Sequence, residues 1–255
     1  MTGTQLKRFF LRRPGLVRLG VVLALFLLWE IAARYWIAPM FLSPPSRVIA
    51  NLGALFETRN VPSALRTTFW ELAVAFAMSV VIGLVVGLAV GLSRFSQRSF
   101  MPIILLLYGT PQVTILPLFI LYFGIGSASK IAFGVSHGIF PIIVTIAGFG
   151  YVDRIFITAA RSMGASDVQM FRYVLLPAAF PVILTGLRIG FTVALLSILG
   201  SETLASLAGL GHRIVHLAEA METARMFAYI AFVVVIAAVL NSSVSALERR
   251  SKRQQ

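Results

Sequence analysis

Long apolar segments separated by shorter polar ones dominate this chain. Six segments approach or exceed the ~20 residues that a membrane-spanning helix needs. They fall at about 19–37, 67–92, 100–123, 131–150, 182–204 and 226–247. The pattern predicts an all-α integral membrane protein, with 1–255 as a single transmembrane domain of about six transmembrane helices. A signal peptide is the alternative for the first segment, but its apolar core would span only about 7–15 residues before a small-residue cleavage site.

Two patterns between and within these segments add detail. Residues 38–65 are rich in proline, yet the apolar spacing from Val48 to Leu55 predicts one or two amphipathic helical turns. Gly83, Gly87 and Gly91 recur at four-residue spacing, which lets helix backbones approach closely in a membrane. Gly124–Lys130 is expected to form a tight polar turn, and residues 205–224 a second long polar loop.

The third apolar segment is interrupted by residues that break helices. Pro102, Gly109, Pro111 and Pro117 all lie inside it. Proline is tolerated in a membrane helix where the freed backbone groups are buried in protein or face water, and broken helices often line transport sites. The segment is therefore either part of a solute pathway or a kinked packing helix. The candidate pathway residues of the chain are Pro111, Gln112, Thr114, Pro117, His137 and Glu202.

The longest polar interruption in the second half of the chain is 151–181. Apolar residues recur at helical spacing over 155–163. Gly164 would end that helix, and Ser166 followed by Gln169 is a capping box that would begin a second one. Connections between helices usually have only a few residues, so an ordered loop of this length predicts a partner. Ala159, Ala160 and Gly164 would offer that partner a small-residue face that fits closely into a groove. The alternative is an amphipathic helix lying on lipid, which would carry more basic and more large apolar residues.

Composition and charge agree with a membrane protein and predict its orientation. The chain is 58% hydrophobic and 12% charged, about half the charged fraction of a soluble domain. Its net charge of +13 lies mainly at the ends of apolar segments, which argues against nucleic-acid binding. With six spans, 14 of the 22 Lys and Arg residues fall on the side of both termini, and 7 on the other. The positive-inside rule then predicts that 1–18, 151–181 and 248–255 are cytoplasmic.

The polar loop resembles a known motif. Thr158-Ala159-Ala160, three residues, Gly164, nine residues and Val174-Leu175-Leu176-Pro177 resemble the EAA-type loop of bacterial ABC-importer permeases, Glu-Ala-Ala, three, Gly, nine, Ile-x-Leu-Pro. In that family the loop is a coupling helix that docks into a cleft of the ATPase subunit. The family usually has Glu at the place of Thr158, so docking here would depend on packing and other polar groups. The resemblance implies these ATPase-coupling residues: Thr158, Ala159, Ala160, Gly164, Ser166, Val174, Leu176 and Pro177.

Other segments resemble the nitrate, sulfonate and taurine branch of these permeases. They are Leu42–Ser46, Pro111–Ile131, Gly186–Arg188, Glu202 and Gly209–Gly211. The resemblance implies a type I importer-like fold in the bacterial inner membrane and import of a small polar or anionic solute by alternating access. It also implies two ATP-binding-cassette ATPase subunits, a second copy of this chain and an external solute-binding protein as partners. ATP and Mg would bind to the partner ATPase, and this chain would bind no cofactor.

No enzymatic or metal chemistry is indicated by the sequence. It lacks the Walker pattern G-x-x-x-x-G-K-[ST] that holds phosphates, so energy must come from another chain. It has no cysteine, no nucleophile–base arrangement and no carboxylate pair. His212 and His216 have a spacing that could hold a metal, but no third ligand is evident. We therefore expect no catalytic residue and no metal-binding residue.

Four ionisable residues in apolar segments are weighed separately, because such groups are costly inside a membrane and usually functional. Glu202 either faces the pathway or the external binding protein, or it forms a structural salt bridge. Glu30 and Glu71 are expected to be structural or interfacial. His137 either lines the pathway or is hydrogen-bonded among the helices, and we favour the second interpretation.

Two other functions are considered. A stand-alone secondary carrier or channel would need its own ion-coupling residues or an internal repeat, and the sequence shows no clear repeat and few intramembrane acids. A membrane scaffold without transport activity would not need the proline-broken third segment. We do not expect the sequence of this chain to identify the solute, because in such importers the external binding protein selects it.

Overall fold

The described part of the chain is helical. The computed structural model describes residues 14–57, 60–91, 93–148 and 154–252, and none of them forms a strand. A 3₁₀ turn at Gln112–Ile115 precedes α5, and a π-helical turn at Phe171–Leu175 precedes α9. The all-α prediction is therefore confirmed. In chain order the helices are α1 (Pro14–Tyr35), α2 (Pro45–Glu57), α3 (Asn60–Gly91), α4 (Arg94–Gly109), α5 (Leu116–Phe123), α6 (Ser127–Gly148), α7 (Arg154–Ser162), α8 (Asp167–Met170), α9 (Leu176–Leu204), α10 (Leu210–Glu219) and α11 (Thr223–Lys252).

Five of the described helical stretches are long and apolar enough to cross a membrane. Helix α4 and the 3₁₀ turn with α5 pass the same test together, but they are bent by 79°. Counting this bent pair as one span gives six, which agrees with the predicted number. The five stretches are Gly15–Tyr35, Val61–Gly91, Ser127–Gly148, Asp167–Leu204 and Thr223–Ala246.

Several predicted boundaries were wrong. The expected polar loop 205–224 contains the ten-residue helix α10. Helix α9 begins at Leu176, before the predicted start at 182. It continues the π-helical turn without a gap, and it contains both Pro177 in its first turn and Pro181. Helix α6 begins at Ser127, so Lys130 is helical rather than part of a polar turn.

The contacts divide the chain into two compact units. Unit 1 is Met1–Val61 with Arg213–Phe232, and unit 2 is Pro62–His212 with Val233–Gln255. A single transmembrane domain over 1–255 stays a prediction. Parts of three predicted cytoplasmic segments lie outside the described residues, namely residues 1–13, 151–153 and 253–255.

In unit 1, polar side chains connect α1 to α2. The Glu30 carboxylate accepts hydrogen bonds from Arg34 Nε at 2.5 Å, from Ser46 N at 3.0 Å and from Ser46 Oγ at 2.8 Å. Val48 and Leu55 of α2 are buried, as the amphipathic spacing predicted. Glu30 therefore has the expected structural role, because it holds the start of α2 against α1.

In unit 2, α6 packs tightly against α3 and α9 through glycines. A Cβ atom added at Gly83 on α3 would lie 2.7 Å from Ile142 Cγ2 on α6, and one added at Gly87 would lie 2.9 Å from Ile146 Cβ. On α9, a Cβ at Gly190 would lie 2.7 Å from Ile142 Cγ1. Ile142 is completely buried. The close approach predicted from the glycine spacing is therefore confirmed.

This packing predicts a difference between two glycines of α9. Gly190→Ala should lower the melting temperature, because the new Cβ would also lie 3.0 Å from the Gly138 carbonyl oxygen, and overpacking costs about 1–3 kcal/mol. Gly200→Ala should leave stability unchanged or raise it by up to about 1 kcal/mol, since nothing lies within 4 Å and alanine favours helix. Circular dichroism melting in detergent checks this, and equal melting temperatures for the two variants would contradict the packing.

Candidate functional site

The segment 154–177, here named the α7–α9 loop, contains a sharp turn at Gly164. The N–H of Ala165 donates to the Ala160 carbonyl at 3.0 Å, and the N–H of Gly164 donates to the Arg161 carbonyl at 3.0 Å. This pair of bonds defines a Schellman motif, which ends a helix with a residue of positive φ. Gly164 has φ +77°, a conformation that favours glycine because it has no Cβ. The prediction that Gly164 ends the first helix is confirmed.

A capping box begins the second helix of the α7–α9 loop. The backbone N–H of Ser166 donates to Gln169 Oε1 at 2.9 Å, and the backbone N–H of Gln169 donates to Ser166 Oγ at 3.3 Å. These reciprocal bonds satisfy two donors that a helix start leaves unpaired. The predicted helix–Gly164–helix arrangement is therefore present, and it holds α7 and α8 in a fixed turn.

The α7–α9 loop presents large apolar side chains on its surface. Ala160 and Met170 are each only 4% exposed and anchor the loop from within. The exposed side chains form what we name the apolar face. A concentration of apolar residues on a polar connecting segment is typical of a protein interaction site. The apolar face consists of Ile155, Phe156, Met163, Val168 and Tyr173, which are 60–82% exposed.

Most of the predicted coupling residues are exposed, but not all of them. Thr158, Ala159 and Gly164 are exposed, whereas Ala160 is buried and cannot be part of a presented small-residue face. Ser166, Leu176 and Pro177 are exposed and Val174 is half-buried. Sequence reasoning did not identify Val168 and Tyr173. The signal that could have found Val168 is a large apolar residue between two polar neighbours, Asp167 and Gln169, in a segment already expected to dock. Tyr173 has no such signal, because Val174 follows it.

The bend between α4 and α5 brings together three of the candidate pathway residues. Residues 109–111, 113 and 114 are exposed. Gln112 is buried, its Nε2 donates weakly to the Leu107 carbonyl at 3.4 Å, and its Oε1 has no hydrogen-bond partner among the described residues. The Thr114 hydroxyl donates to the Pro111 carbonyl at 2.7 Å. In a membrane, irregular backbone of this kind must contact protein or water.

Pro117 and His137, the other pathway candidates in the central segments, have surroundings that differ from those of Gln112. Pro117 is exposed in the first turn of α5. His137 is half-buried on α6, with Nδ1 3.1 Å from the Phe133 carbonyl oxygen and its ring edge-on to the Phe133 ring. This geometry favours a histidine bonded within the helices over one that lines the pathway.

Glu202 is enclosed at the end of α9 and is only 1% exposed. Its Oε1 accepts a hydrogen bond from the Thr68 hydroxyl at 2.6 Å, and its Oε2 accepts one from the Gly211 N–H at 2.8 Å. Thr68 Oγ1 in turn accepts a bond from the Leu210 N–H at 3.0 Å. At Gly209, which has φ +115°, any Cβ would collide with this carboxylate. These contacts favour a structural role for Glu202 over a pathway role.

A buried ion pair lies beside Glu202. Lys130 Nζ is 2.6 Å from Glu71 Oε1, and the two side chains are 3% and 0% exposed. Lys130 also donates to Ser206 Oγ at 2.9 Å and to the Ala208 carbonyl at 3.2 Å. Sequence reasoning missed this pair because it placed Lys130 in a polar turn. The sequence did contain a signal for this pair. Glu71 lies inside one apolar segment and Lys130 directly before another, and charges in such segments usually pair with one another.

We name these groups the polar clamp. It consists of Thr68 and Glu71 on α3, Lys130 on α6, Glu202 on α9, and the turn 206–211 that begins α10. Every member belongs to unit 2. The polar clamp holds three helices and a turn together by hydrogen bonds and charge, so its chemistry is structural rather than catalytic.

The histidines of α10 do not change the expectation about metals. His212 and His216 are four residues apart on the same helix. In the part of the chain that the structure describes, no group of three His, Cys, Asp or Glu residues could hold a metal ion. That this chain binds no metal stays a prediction.

The chain is similar to proteins of one transport family. Residues 79–253 match the family described as "Binding-protein-dependent transport system inner membrane component". The taurine transport system permease protein TauC of Escherichia coli (strain K12) is 34% identical over 95% of this chain and 91% of its own length. The putative aliphatic sulfonates transport permease protein SsuC of the same organism is 30% identical over 96% and 93%. The formylaminopyrimidine transport permease protein ThiX of Halalkalibacterium halodurans is 29% identical over 74% and 76%.

Two solved structures share the fold. A chain of the methionine ABC transporter MetNI in an inward-facing conformation matches with a TM-score of 0.61 and 20% identity, over 75% of this chain and 95% of that one. A chain of a bacterial ABC transporter involved in the import of the acidic polysaccharide alginate matches with a TM-score of 0.61 and 14% identity, over 96% and 99%. At these identities the likeness concerns the fold alone.

The polar clamp predicts a strong effect of removing its cation. Lys130→Met should lower the melting temperature sharply, because an uncompensated buried carboxylate at Glu71 costs about 3–5 kcal/mol. The double variant with Glu71→Leu should recover most of that loss, since the Glu71 charge is then removed as well and Glu202 keeps its hydrogen bonds to Thr68 and Gly211. Thermal unfolding in detergent compares wild type, both single variants and the double variant. Arg66→Met, which removes an exposed cation of α3, is the control; if it melts together with Lys130→Met, the ion pair is not a stabilising contact.

Proposed function

This chain belongs to the family of binding-protein-dependent transport system inner membrane components, and we propose that it imports a small aliphatic sulfonate. It is a multi-pass permease subunit of an ABC importer and has the fold of type I importer permeases. In such systems ATPase activity belongs to separate subunits, and a binding protein delivers the solute. Membership in this family favours ATP-driven import over a stand-alone carrier, a channel or a scaffold.

The proposed substrate class follows from the relatives. The names of TauC and SsuC specify taurine and aliphatic sulfonates, and both matches span more than 90% of each chain. These solutes share a sulfonate group on a short aliphatic chain. ThiX, named for a pyrimidine, matches over a smaller share of both chains. The relatives therefore support a sulfonate more strongly than a heterocycle.

The proposed assembly contains two copies of this chain and two ATPase subunits. The observation that supports the dimer is the exposed bend between α4 and α5. Irregular backbone at membrane depth is stable only against protein or water, and Gln112 Oε1 is left without a partner among the described residues. Two copies that face each other across this bend would supply protein on one side and a water-filled pathway on the other. Pro111, Gln112 and Thr114 would then lie beside the solute.

The α7–α9 loop is the proposed contact with the ATPase. The observation that carries this proposal is the apolar face on a loop whose turn is held by the Schellman motif and the capping box. A fixed apolar surface can transmit displacement, whereas a flexible loop would absorb it. ATP and Mg would bind at the ATPase. Closure of the two ATPases would move the two loops and switch the pathway between the two sides by rigid-body rocking.

The proposed orientation places both termini and the α7–α9 loop in the cytoplasm. Its support is the excess of Lys and Arg on that side, 14 against 7. Lys130 is among the seven, but it is buried in an ion pair. The charge available to the outer surface is therefore smaller than the sequence count, which increases the asymmetry.

The proposal predicts that the backbone at Gly164 controls coupling. Gly164→Val should reduce ATP-dependent uptake by about tenfold or more while the protein still inserts, because a left-handed residue other than glycine costs about 1–2 kcal/mol, and 1.4 kcal/mol is a factor of ten. Gly164→Asn should keep most of the activity, since asparagine tolerates this conformation. Uptake of a labelled sulfonate into proteoliposomes with the ATPase and binding protein measures both variants.

Two results of that assay would count against the proposal. Normal uptake by Gly164→Val would reject the α7–α9 loop as the coupling element. Uptake driven by an ion gradient with this chain alone would indicate a secondary carrier instead. Uptake that requires the added ATPase and ATP is the expected result.

A further inference from the structure

Unit 1 contains a polar cavity outside the residues of the α7–α9 loop and the polar clamp. The cavity has a volume of about 320 Å³ and opens to the surface, within the size range of small-molecule sites. It lies among the α1–α2 connection, the start of α2 and the start of α11. Its polar lining residues are Ser43, Arg47, Asn51, Glu222, Thr223 and Arg225.

The charges in this cavity do not cancel. Arg225 Nη1 donates to Glu222 Oε2 at 2.7 Å, so these two charges compensate each other. The Arg47 guanidinium has no ion-pair or hydrogen-bond partner among the described residues. One uncompensated positive charge therefore lines the cavity and favours an anionic occupant.

A hydroxyl on the wall of the cavity supplies a second donor. Ser43 lines the cavity, and the residue as a whole is only 3% exposed. A hydroxyl is a donor that a bound oxygen atom would satisfy.

The remaining walls of the cavity are fixed in place. The Thr223 hydroxyl donates to the Met40 carbonyl at 2.6 Å and joins the start of α11 to the α1–α2 connection. Asn51 Nδ2 donates to the Arg47 carbonyl at 2.8 Å. Met221, beside the cavity, has φ +57°, a strained conformation that is often found at functional sites. The first-turn N–H groups of α11 also favour negative charge.

We propose that this cavity binds one oxoanion group, a sulfonate or a carboxylate, with the Arg47 guanidinium and the Ser43 hydroxyl as donors. The site stands on the contacts above; only the source of the anion rests on the proposed function. In the proposed orientation α1 runs outward from the cytoplasm, so the cavity opens on the external face. The anion is then either the sulfonate group of the arriving solute or a carboxylate side chain of the external binding protein.

Direct binding to the full-length permease–ATPase complex in nanodiscs, without nucleotide, tests the site. Isothermal titration with ethanesulfonate should show saturable binding with Kd of about 1 mM, the strength of a weak open site. Arg47→Gln should weaken binding by about tenfold or more, the scale of one charged hydrogen bond. Ser43→Ala should weaken it to a smaller extent, and Arg47→Lys should retain part of the affinity.

Two controls isolate the cavity. Arg66→Gln removes an exposed cation of unit 2 and should bind ethanesulfonate like wild type. Tetramethylammonium, a small cation, should not bind. If neither ethanesulfonate nor acetate binds, or if both bind to Arg47→Gln as they do to wild type, the oxoanion site does not exist.

A second measurement identifies the source of the anion. If a carboxylate of the binding protein occupies the cavity, Arg47→Gln should weaken binding of that protein to the complex, and ethanesulfonate should compete with it. If the solute occupies the cavity, binding of the protein should be unchanged and sulfonate uptake should fall. Unchanged protein binding together with unchanged uptake would reject both occupants. Ethanesulfonate binding by a wild-type complex that does not transport sulfonates would reject the proposed function and keep the site.

Discussion

The burial of charge in an apolar chain is the constraint on which the rest of unit 2 depends. Removing two carboxylates and an ammonium from water is costly, and attraction between them offsets that penalty only when the geometry is good and the other polar atoms are bonded. In the polar clamp, Lys130 contacts Glu71 and the turn 206–211, while Glu202 bonds to Thr68 and to the start of α10. Glu71 Oε2 has no hydrogen-bond partner among the described residues, so the attraction to Lys130 offsets the cost of burying this carboxylate. These contacts form only when α3, α6, α9 and the turn are all in place. The glycines at the α3–α6 and α6–α9 contacts supply the close approach that this requires.

Helix α9 connects the polar clamp to the α7–α9 loop. Its 29 residues extend about 43 Å at 1.5 Å per residue, with Pro177 in the first turn and Glu202 near the last. The π-helical turn joins it without a gap to the capped helix α8. In the proposed mechanism, a displacement of the apolar face by the ATPase is therefore carried along α9 to the polar clamp, whose buried contacts depend on the positions of all three helices. Because α6 packs on α9 through Gly190 and Ile142, it would move with α9.

Local features could be predicted from the sequence, and contacts between distant residues could not. The Gly164 turn and the Ser166–Gln169 capping box depend on hydrogen bonds that span five residues or fewer, so the residue pattern determines them. The break in the third segment was likewise evident from its prolines, although the 79° angle was not. The bond between Thr68 and Glu202 joins residues 134 positions apart, and no local pattern indicates that they meet. The same limit explains why Lys130 was placed in a turn and why the burial of Ala160 was missed.

The most direct test of the central claim is a thiol-protection measurement at the α7–α9 loop. The chain has no cysteine, so Phe156→Cys, at a 60% exposed position of the apolar face, would introduce a single thiol. A membrane-impermeant maleimide should label it in inside-out vesicles stripped of the ATPase and should fail to label it once the ATPase is bound. Phe41→Cys, at a 68% exposed position of the α1–α2 connection, should be labelled only from the opposite side. Labelling of Phe156→Cys in intact cells, or equal labelling with and without the ATPase, would contradict the account.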